Sequence, residues 1–395
     1  MKHLKQHLQK NVGILANAVE CYSGGLLMFS LPFLSRDLYS PSDDSHGVMR
    51  NFILYGLSLW SYPLGSLMFG WLGDRYGRRP ALLLSLGLML FALNFMLLCP
   101  CQTSSGRLLI FLSLSLYHMG SGAEITGGAL LSLEHGDPKR QGRISAYICT
   151  FSVLGILLAS GTLSFLQALG ESYWWAFYVA IALMAFVFVT VVFSQEPSVF
   201  ENDHNQGGWR VGFKPLMTCF MVASLFGVGY YVPFVFLPQI VTTVTSLTLE
   251  ATSAFSTLNL GIYMASLFGA GLVVDRVGIS FFMRRACLLL LVLSPLAFWL
   301  TWNGSLWTYA LGQGLLALGG GLFIAPSHAL MASLFPPHSR YRMISLIYAL
   351  AFTCVGGATP IILGWLYMAI PYHWILNMWI WMWVMGAYYT LGWKR

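Results

Sequence analysis

Charge is what this chain has least of. Aspartate, glutamate, lysine and arginine make up 9% of its 395 residues, where a soluble domain carries about 25%. So little charge cannot cover a water-facing surface, which excludes a soluble globular protein. Acids are the scarcer sign, 14 against 21 basic residues. The net charge of +7 still does not point to nucleic acid, because the basic residues are dispersed between apolar runs. The seven cysteines show neither zinc nor disulfide spacing and read as small hydrophobes; Cys99-Pro100-Cys101 is too tight for a redox motif. There is no metal-ligand cluster, no nucleophile–base pair and no soluble catalytic domain. An enzyme is therefore not expected, and neither is a metal or a cofactor. A cleavable signal pattern is also missing; the first apolar run is long enough to span and is retained.

What is present is apolar. Hydrophobic residues form 57% of the chain and the mean hydropathy is +0.69. Crossing a bilayer of about 30 Å takes about 20 residues of helix. Segments of that kind fall near 11–35, 50–72, 80–99, 107–133, 143–169 and 173–194. Six more follow near 214–240, 250–274, 281–301, 304–333, 343–368 and 372–392. Twelve spanning helices are expected, as bundles 1–194 and 214–395 joined by a polar linker over 195–213. With the N-terminus inside, eighteen lysines and arginines fall on the inner side and only Arg36, Arg50 and Arg107 on the outer. By the positive-inside rule both termini are then cytoplasmic, and low outer charge fits a bacterial inner membrane.

One stretch recurs. Gly70-Trp71-Leu72-Gly73-Asp74-Arg75-Tyr76-Gly77-Arg78-Arg79 lies between the second and third segments. Its Gly-x-x-x-Asp-Arg-x-Gly core returns 201 residues later as Gly271 to Gly278, with Asp275 and Arg276. A repeat at half the chain length marks secondary transporters. The stretch resembles the cytoplasmic loop signature of the major facilitator superfamily along its whole length. That resemblance implies two six-helix bundles around a cavity opening alternately to each side, worked by a monomer. It also implies that this loop is a gating latch and not a substrate site. Gly73 and Gly77 suit close approach and a tight turn, and Asp74 suits a basic partner or a helix N-terminus.

Two acids break the apolar runs. Glu20 lies about 14 Å from the inner end of segment 1, and Glu124 about 14 Å from the inner end of segment 4, at 1.5 Å per residue. In the superfamily, helices 1, 4, 7 and 10 line the cavity, so matching depth suggests one site. Shifted by the repeat, the two acids land on Met221 and Ala325; the second half has no counterparts. Gly120-Ser121-Gly122-Ala123-Glu124-Ile125-Thr126-Gly127-Gly128-Ala129, with Glu134 and Arg140 beyond, resembles helix 4 of the metabolite:proton symporters. Asn17-Ala18-Val19-Glu20-Cys21-Tyr22 and Pro63-Leu64-Gly65 resemble two other stretches of that branch, which carries proline/betaine, α-ketoglutarate, citrate and shikimate transporters. Ser23 stands where the branch has aspartate, and Leu114 where it has the arginine that would suit a carboxylate substrate.

Glu20 and Glu124 are thus expected to form the proton-coupling and substrate centre. Two carboxylates at one depth with few positive neighbours cannot both stay ionised cheaply, as a proton carrier requires. One charged acid can meet the ammonium of an amino acid, a betaine or another zwitterion, with Tyr22, Tyr117, Tyr230 and Tyr231 adding aromatic faces. The alternative is that each acid bonds a neighbouring hydroxyl or backbone group and fixes packing. His118 and His328 are candidates for a proton relay or the cavity lining, and equally for ordinary interior hydrogen bonding. Asn94, Gln239, Asn259 and Gln313 are interior amides that sequence alone does not rank. Pro233, Pro238, Pro326 and Pro360 should interrupt late helices, and the tryptophans of segment 12 read as interfacial and lipid-facing. The expected function is proton-coupled symport of a small metabolite. Alternatives are organic-acid uptake, export of a drug or siderophore, and a non-transporting membrane sensor.

Overall fold

The computed structural model describes residues 2–38, 53–99, 103–197, 212–302, 305–370 and 373–393. Most of the expected linker therefore lies outside the described residues, as do Arg50, Arg210, Lys394 and Arg395 of the charge census.

The described chain is helical throughout. Helix α1 (Lys2–Leu38) is followed by a short stretch over 53–58 and then by α2 (Ser61–Tyr76), α3 (Arg78–Leu97), α4 (Ser104–His135), α5 (Gln141–Ala168) and α6 (Trp174–Val192). The second half holds α7 (Phe213–Tyr231), α8 (Leu249–Val277), α9 (Ile279–Trp302), α10 (Leu306–Ile324), α11 (Pro337–Ala351) and α12 (His373–Leu391). Three of these are continued. A π turn Val232–Phe236 extends α7 into Leu237–Val244; Ser327–Leu334 follows α10; a π turn Phe352–Gly357 extends α11 into Thr359–Ala369. Among the described residues ten helical spans are long and apolar enough to cross a bilayer. The 16-residue α2 and the tryptophan-rich α12 complete the twelve apolar segments. Only helices with every backbone group answered internally can cross hydrocarbon singly. Large apolar side chains such as Leu158, Phe165, Phe186, Val292 and Trp365 are exposed, as lipid-facing positions require.

Local chemistry sets several boundaries. The Thr103 hydroxyl accepts from the Gly106 N–H at 3.0 Å to start α4, and Thr248 does the same for Ala251 at 3.3 Å to start α8. The repeated stretch is less of a loop than its charge suggests. α2 runs to Tyr76 and α3 begins at Arg78, so the whole connection is Gly77 at φ 112°. Gly278 at φ 91° alone joins α8 to α9. L side chains are strained there, which is why the repeat keeps glycine at both positions.

The late prolines fall at interruptions, as their chemistry requires. In the π turn after α7 the Leu237 N–H reaches Val232 O, which leaves Pro233 O open. Gln313 of α10 donates its amide to that carbonyl at 2.7 Å. α10 breaks at Ala325–Pro326 and resumes at Ser327. In α12 the tryptophans are only partly lipid-facing: Trp379 donates to Thr359 and Trp381 to Ser294, each at 3.1 Å. An indole N–H finds no acceptor in lipid, and these two find one in neighbouring helices.

Contacts group the chain into two units. Unit 1 is Met1–Gly136, Phe151–Gly207 and Pro336–Ala349; unit 2 is Asp137–Thr150, Gly208–Phe335 and Leu350–Arg395. Unit 1 has a core built from Leu26, Leu86, Met89, Leu93, Phe177 and Met184, all fully buried. At one end, Tyr173 and Trp174 donate to the Asp37 carboxylate at 2.5 and 3.0 Å, fixing α6 against α1.

The two glycine joints differ in a way that can be measured. A Cβ on Gly77 meets the Glu196 carboxyl at 2.8 Å, whereas one on Gly278 meets nothing. Gly278→Ala should cost only the backbone strain, about 1–2 kcal/mol, and Gly77→Ala clearly more. Melting of the purified variants checks this, and equal losses would count against the Glu196 contact.

Candidate functional site

The two membrane acids come together within unit 1. Glu20 of α1 is 5% exposed and Glu124 of α4 is fully buried, and they stand close enough for their charges to interact. Their environments differ. The Ser121 hydroxyl donates to Glu20 Oε1 and the Cys21 thiol to Oε2 at 3.3 Å. Tyr117 binds the same turn of α1, donating to Glu20 O at 3.0 Å. Glu124 has nothing comparable: among the described residues neither of its carboxylate oxygens has a hydrogen-bond partner.

The space beside Glu124 is held open by glycine. A Cβ on Gly128 would lie 3.3 Å from Glu124 Oε1 and would strike the side-chain amide of Asn17. Asn17 is itself fully buried; its Nδ2 donates to Gly13 O at 3.0 Å and its Oδ1 has no partner. Glu124 is thus a buried carboxylate with two open acceptor oxygens, and such a group calls for a donor: a proton, an N–H or a cation. One turn further along α4, Tyr341 packs against Gly127 and donates to Ala123 O at 2.9 Å. Thr126 and Ser345 share a hydrogen bond of 2.5 Å.

Other sequence candidates lie apart from this centre. Tyr22 is buried, and its hydroxyl donates to Thr162 of α5 at 3.3 Å. His118 is held by Ser58 at 3.0 Å between the rings of Tyr55 and Tyr117. Tyr230 and Tyr231 belong to unit 2, 5.7 Å apart and edge to face; Phe234 and Tyr263 stack around the first and Phe352 beside the second. His328 is buried there against Phe226. Of the unranked amides, Asn94 and Gln239 are exposed and not interior, Asn94 bonding Leu90 O of its own helix, while Asn259 and Gln313 find partners in unit 2. Asn259 donates to Gln313 Oε1 at 2.7 Å, and Gln313 donates to Ser256 at 2.8 Å as well as to Pro233 O. Sequence reading did not single out Ser121 or Asn17. Each precedes one of the acids by three positions, the spacing of one helix face, and that was the available signal.

The repeated Asp-Arg stretch is the other organised site. Arg78, 1% exposed, binds Asp74 Oδ1 at 2.9 Å, Glu134 at 3.3 Å, Gly73 O at 2.9 Å and Pro337 O at 2.6 Å. Arg340 reaches the other oxygen of Glu134 at 3.0 Å. Asp74 also accepts the N–H groups of Tyr341 and Arg342 at 3.1 and 3.0 Å, at the start of α11. Gly73 faces the ring of Tyr341, and Gly70 the backbone of Arg342. In unit 2, Asp275 accepts from Gly142 and Arg143 at 2.8 and 3.0 Å, at the start of α5. Each repeat aspartate thus receives two backbone donors early in a helix, where an anion is favoured. Arg75 and Arg276 point outward, Arg75 lying over Trp71 at 5.2 Å. Arg79 donates to Val191 O at 3.2 Å and to Val192 O. Glu196 accepts the N–H groups of Arg78 and Arg79, the latter at 2.9 Å. Burial raises its carboxyl above the ordinary range, and the donors oppose that. Among the described residues no group of three or more His, Cys, Asp or Glu side chains is placed to hold a metal ion.

The profile of the Major Facilitator Superfamily matches residues 13–316. The chain belongs to that superfamily. A putative proline/betaine transporter of Staphylococcus aureus strain COL is 23% identical over 377 residues, covering 89% of this chain and 80% of the relative. The proline/betaine transporter of Escherichia coli K12 is 24% identical over 384 residues, covering 89% and 76%. The resemblance to that branch, read from α1 and α4, is therefore found again over most of the chain. Among solved structures, a XylE mutant superposes with a TM-score of 0.81 at 12% identity over 97% of this chain and 93% of that one. FucP in its outward conformation gives 0.76 at 11% over 98% and 97%. These share the fold. The chain is an integral membrane transporter, and not an enzyme, of the major facilitator superfamily.

Arg78 offers a stability test. Arg78→Met removes one ion pair each from the buried Asp74 and Glu134, which keep the Tyr341 and Arg342 N–H groups and Arg340 respectively, and should cost about 3 kcal/mol. Arg79→Met removes bonds to two carbonyls at the helix end and should cost much less. Comparable melting temperatures for the two variants would contradict the central place of Arg78.

Proposed function

We propose that this chain is a proton-coupled symporter of a small zwitterion, amino-acid-like or betaine-like, working by alternating access. The observation that carries the reading is the buried Glu124 carboxylate, with both oxygens unanswered. Such a carboxylate suits a proton in one state and a cationic group in another. Glu20 shares the work: it is buried on α1, where Ser121 of α4 and Cys21 donate to its two oxygens. Among the described residues neither glutamate has an ion-pair partner. A carboxylate substrate would therefore have to find its cation elsewhere, which favours the zwitterion over a di- or tricarboxylate. Relatives named as proline/betaine transporters fit the same substrate class.

The Arg78 cluster and the Asp275 cap are proposed as latches. Each ties a repeat aspartate to the beginning of a helix from the other sequence half, α11 for Asp74 and α5 for Asp275. Breaking four such hydrogen bonds is what opening that end would cost, and a bound substrate or proton must offset it. The charge census supports a plasma-membrane location with both termini and both latches on the cytoplasmic side.

The test separates coupling from binding. In proteoliposomes, the wild type should accumulate labelled proline or glycine betaine only under an inward proton gradient. Glu124→Gln should reduce accumulation to background yet retain substrate exchange at equal pH, because a neutral amide keeps the shape but carries no proton. Accumulation by Glu124→Gln at the wild-type level would refute the assignment. Gradient-driven uptake restricted to carboxylates would overturn the substrate class.

A further inference from the structure

Away from the acids, unit 2 contains a cavity of about 680 Å³ lined by α7, α9, the continuation of α10, and α12. Its polar lining consists of Lys214, Thr218, Ser280, Ser333 and Thr390, closed on one side by Trp393. Leu330, Leu334 and Leu391 form the apolar part. No aspartate or glutamate lines it, although acids make up 14 residues of the chain and cluster at the same end in the two latches. The electrostatic sign is therefore uniform.

A second cation stands beside the cavity. The guanidinium of Arg284 lies over Tyr388 at 4.5 Å and next to Gly392, where a Cβ would be 3.6 Å from its central carbon. Gly392 sits between the lining residues Leu391 and Trp393. Arg284 Nε is buried with no hydrogen-bond partner among the described residues, an expensive state for a charged donor. The hydroxyls of Thr218, Ser333 and Thr390 donate to backbone carbonyls; two cations, the Ser280 hydroxyl and an apolar wall are the makings of a phosphate site. A tetrahedral anion can accept from several monodentate donors at once, and basic pockets between helix ends at the inner face suit anionic headgroups. A volume within the usual range for small-ligand sites, about 300–1,000 Å³, exceeds that of phosphate alone and admits what the phosphate is attached to.

We propose that this cavity binds a phosphate-bearing ligand on the side that carries the basic residues, with Lys214 and Arg284 as its charged partners and Ser280 as a hydroxyl donor. The phosphate comes either from an anionic phospholipid headgroup or from a free phosphate compound. The site is independent of the glutamate centre, so the transport reading and this one can fail separately.

Native mass spectrometry of the full chain tests it with phosphatidylglycerol, phosphatidylcholine and inorganic phosphate as probes. The expected result is a retained phosphatidylglycerol adduct that exceeds the phosphatidylcholine adduct. It should weaken about tenfold in Lys214→Gln, the worth of one charge-assisted hydrogen bond. Ser333→Asp, which places a carboxylate in the cavity from a different helix, should weaken it further and guards against a folding defect in the first variant. Melting temperatures near the wild type certify both. If inorganic phosphate displaces the lipid and raises the melting temperature on its own, the free compound is the ligand; lipid binding without that effect assigns the headgroup. Equal binding of the two lipids with no phosphate effect, or adducts unchanged in both variants, would overturn the proposal.

Discussion

Hydrocarbon supplies no donor and no acceptor, so every polar group inside this protein has to be answered by another. Much of the architecture can be read as compliance with that constraint. The π turn after α7 opens Pro233 O, and Gln313 closes it. Arg78 enters the interior at the start of α3 and meets two carboxylates and two backbone carbonyls. Trp379 and Trp381 turn their N–H groups onto hydroxyls of neighbouring helices. Compliance is incomplete: several buried hydroxyls and the Nε atoms of Arg143 and Arg284 also lack a partner, and among the described residues Glu124 is the one buried carboxylate with both oxygens open.

In the reading proposed here, that open carboxylate gives the glutamate pair its chemistry. A carboxylate with no donor is costly as an anion and tolerable as a neutral acid, so its charge follows whatever stands beside it. Glu20, one helix away, has a hydroxyl and a thiol to hold its charge. We propose that two like acids in unlike surroundings divide the labour, with Glu124 as the proton-exchanging member. The aspartate sites proposed as latches show the same economy of charge: Asp74 and Asp275 are each matched to two backbone N–H groups, and Asp74 has Arg78 as well. An interaction made of hydrogen bonds to helix starts is geometrically strict, so it can be lost as a unit when the helices move.

Much of this was legible in the sequence. Twelve apolar segments, the half-chain repeat and the two interior acids needed only hydropathy, spacing and the cost of burying charge. What the sequence did not disclose follows from helix geometry in three dimensions. Ser121 and Asn17 are ordinary residues until the helix turns them onto the faces of Glu124 and Glu20. The repeated stretch reads as a charged loop, yet it is helix up to one glycine on each occasion, because Gly77 and Gly278 alone reverse the chain. Tyr22 and His118 sit near the acids in sequence but point to Thr162 and Ser58. Proximity along a helix did not translate into proximity in the site. The tryptophans of α12 were read from composition, which cannot distinguish an indole at a lipid interface from one bonded to α9.

The central claim is that the glutamate centre moves a proton together with substrate. The direct measurement is the external pH of a weakly buffered proteoliposome suspension, with no imposed gradient, when unlabelled proline or glycine betaine is added. The account predicts alkalinisation that tracks substrate entry, with none in Glu124→Gln despite continued exchange. Substrate entry with no change of pH in the wild type would contradict it, and would leave the open oxygens of Glu124 a feature of binding alone.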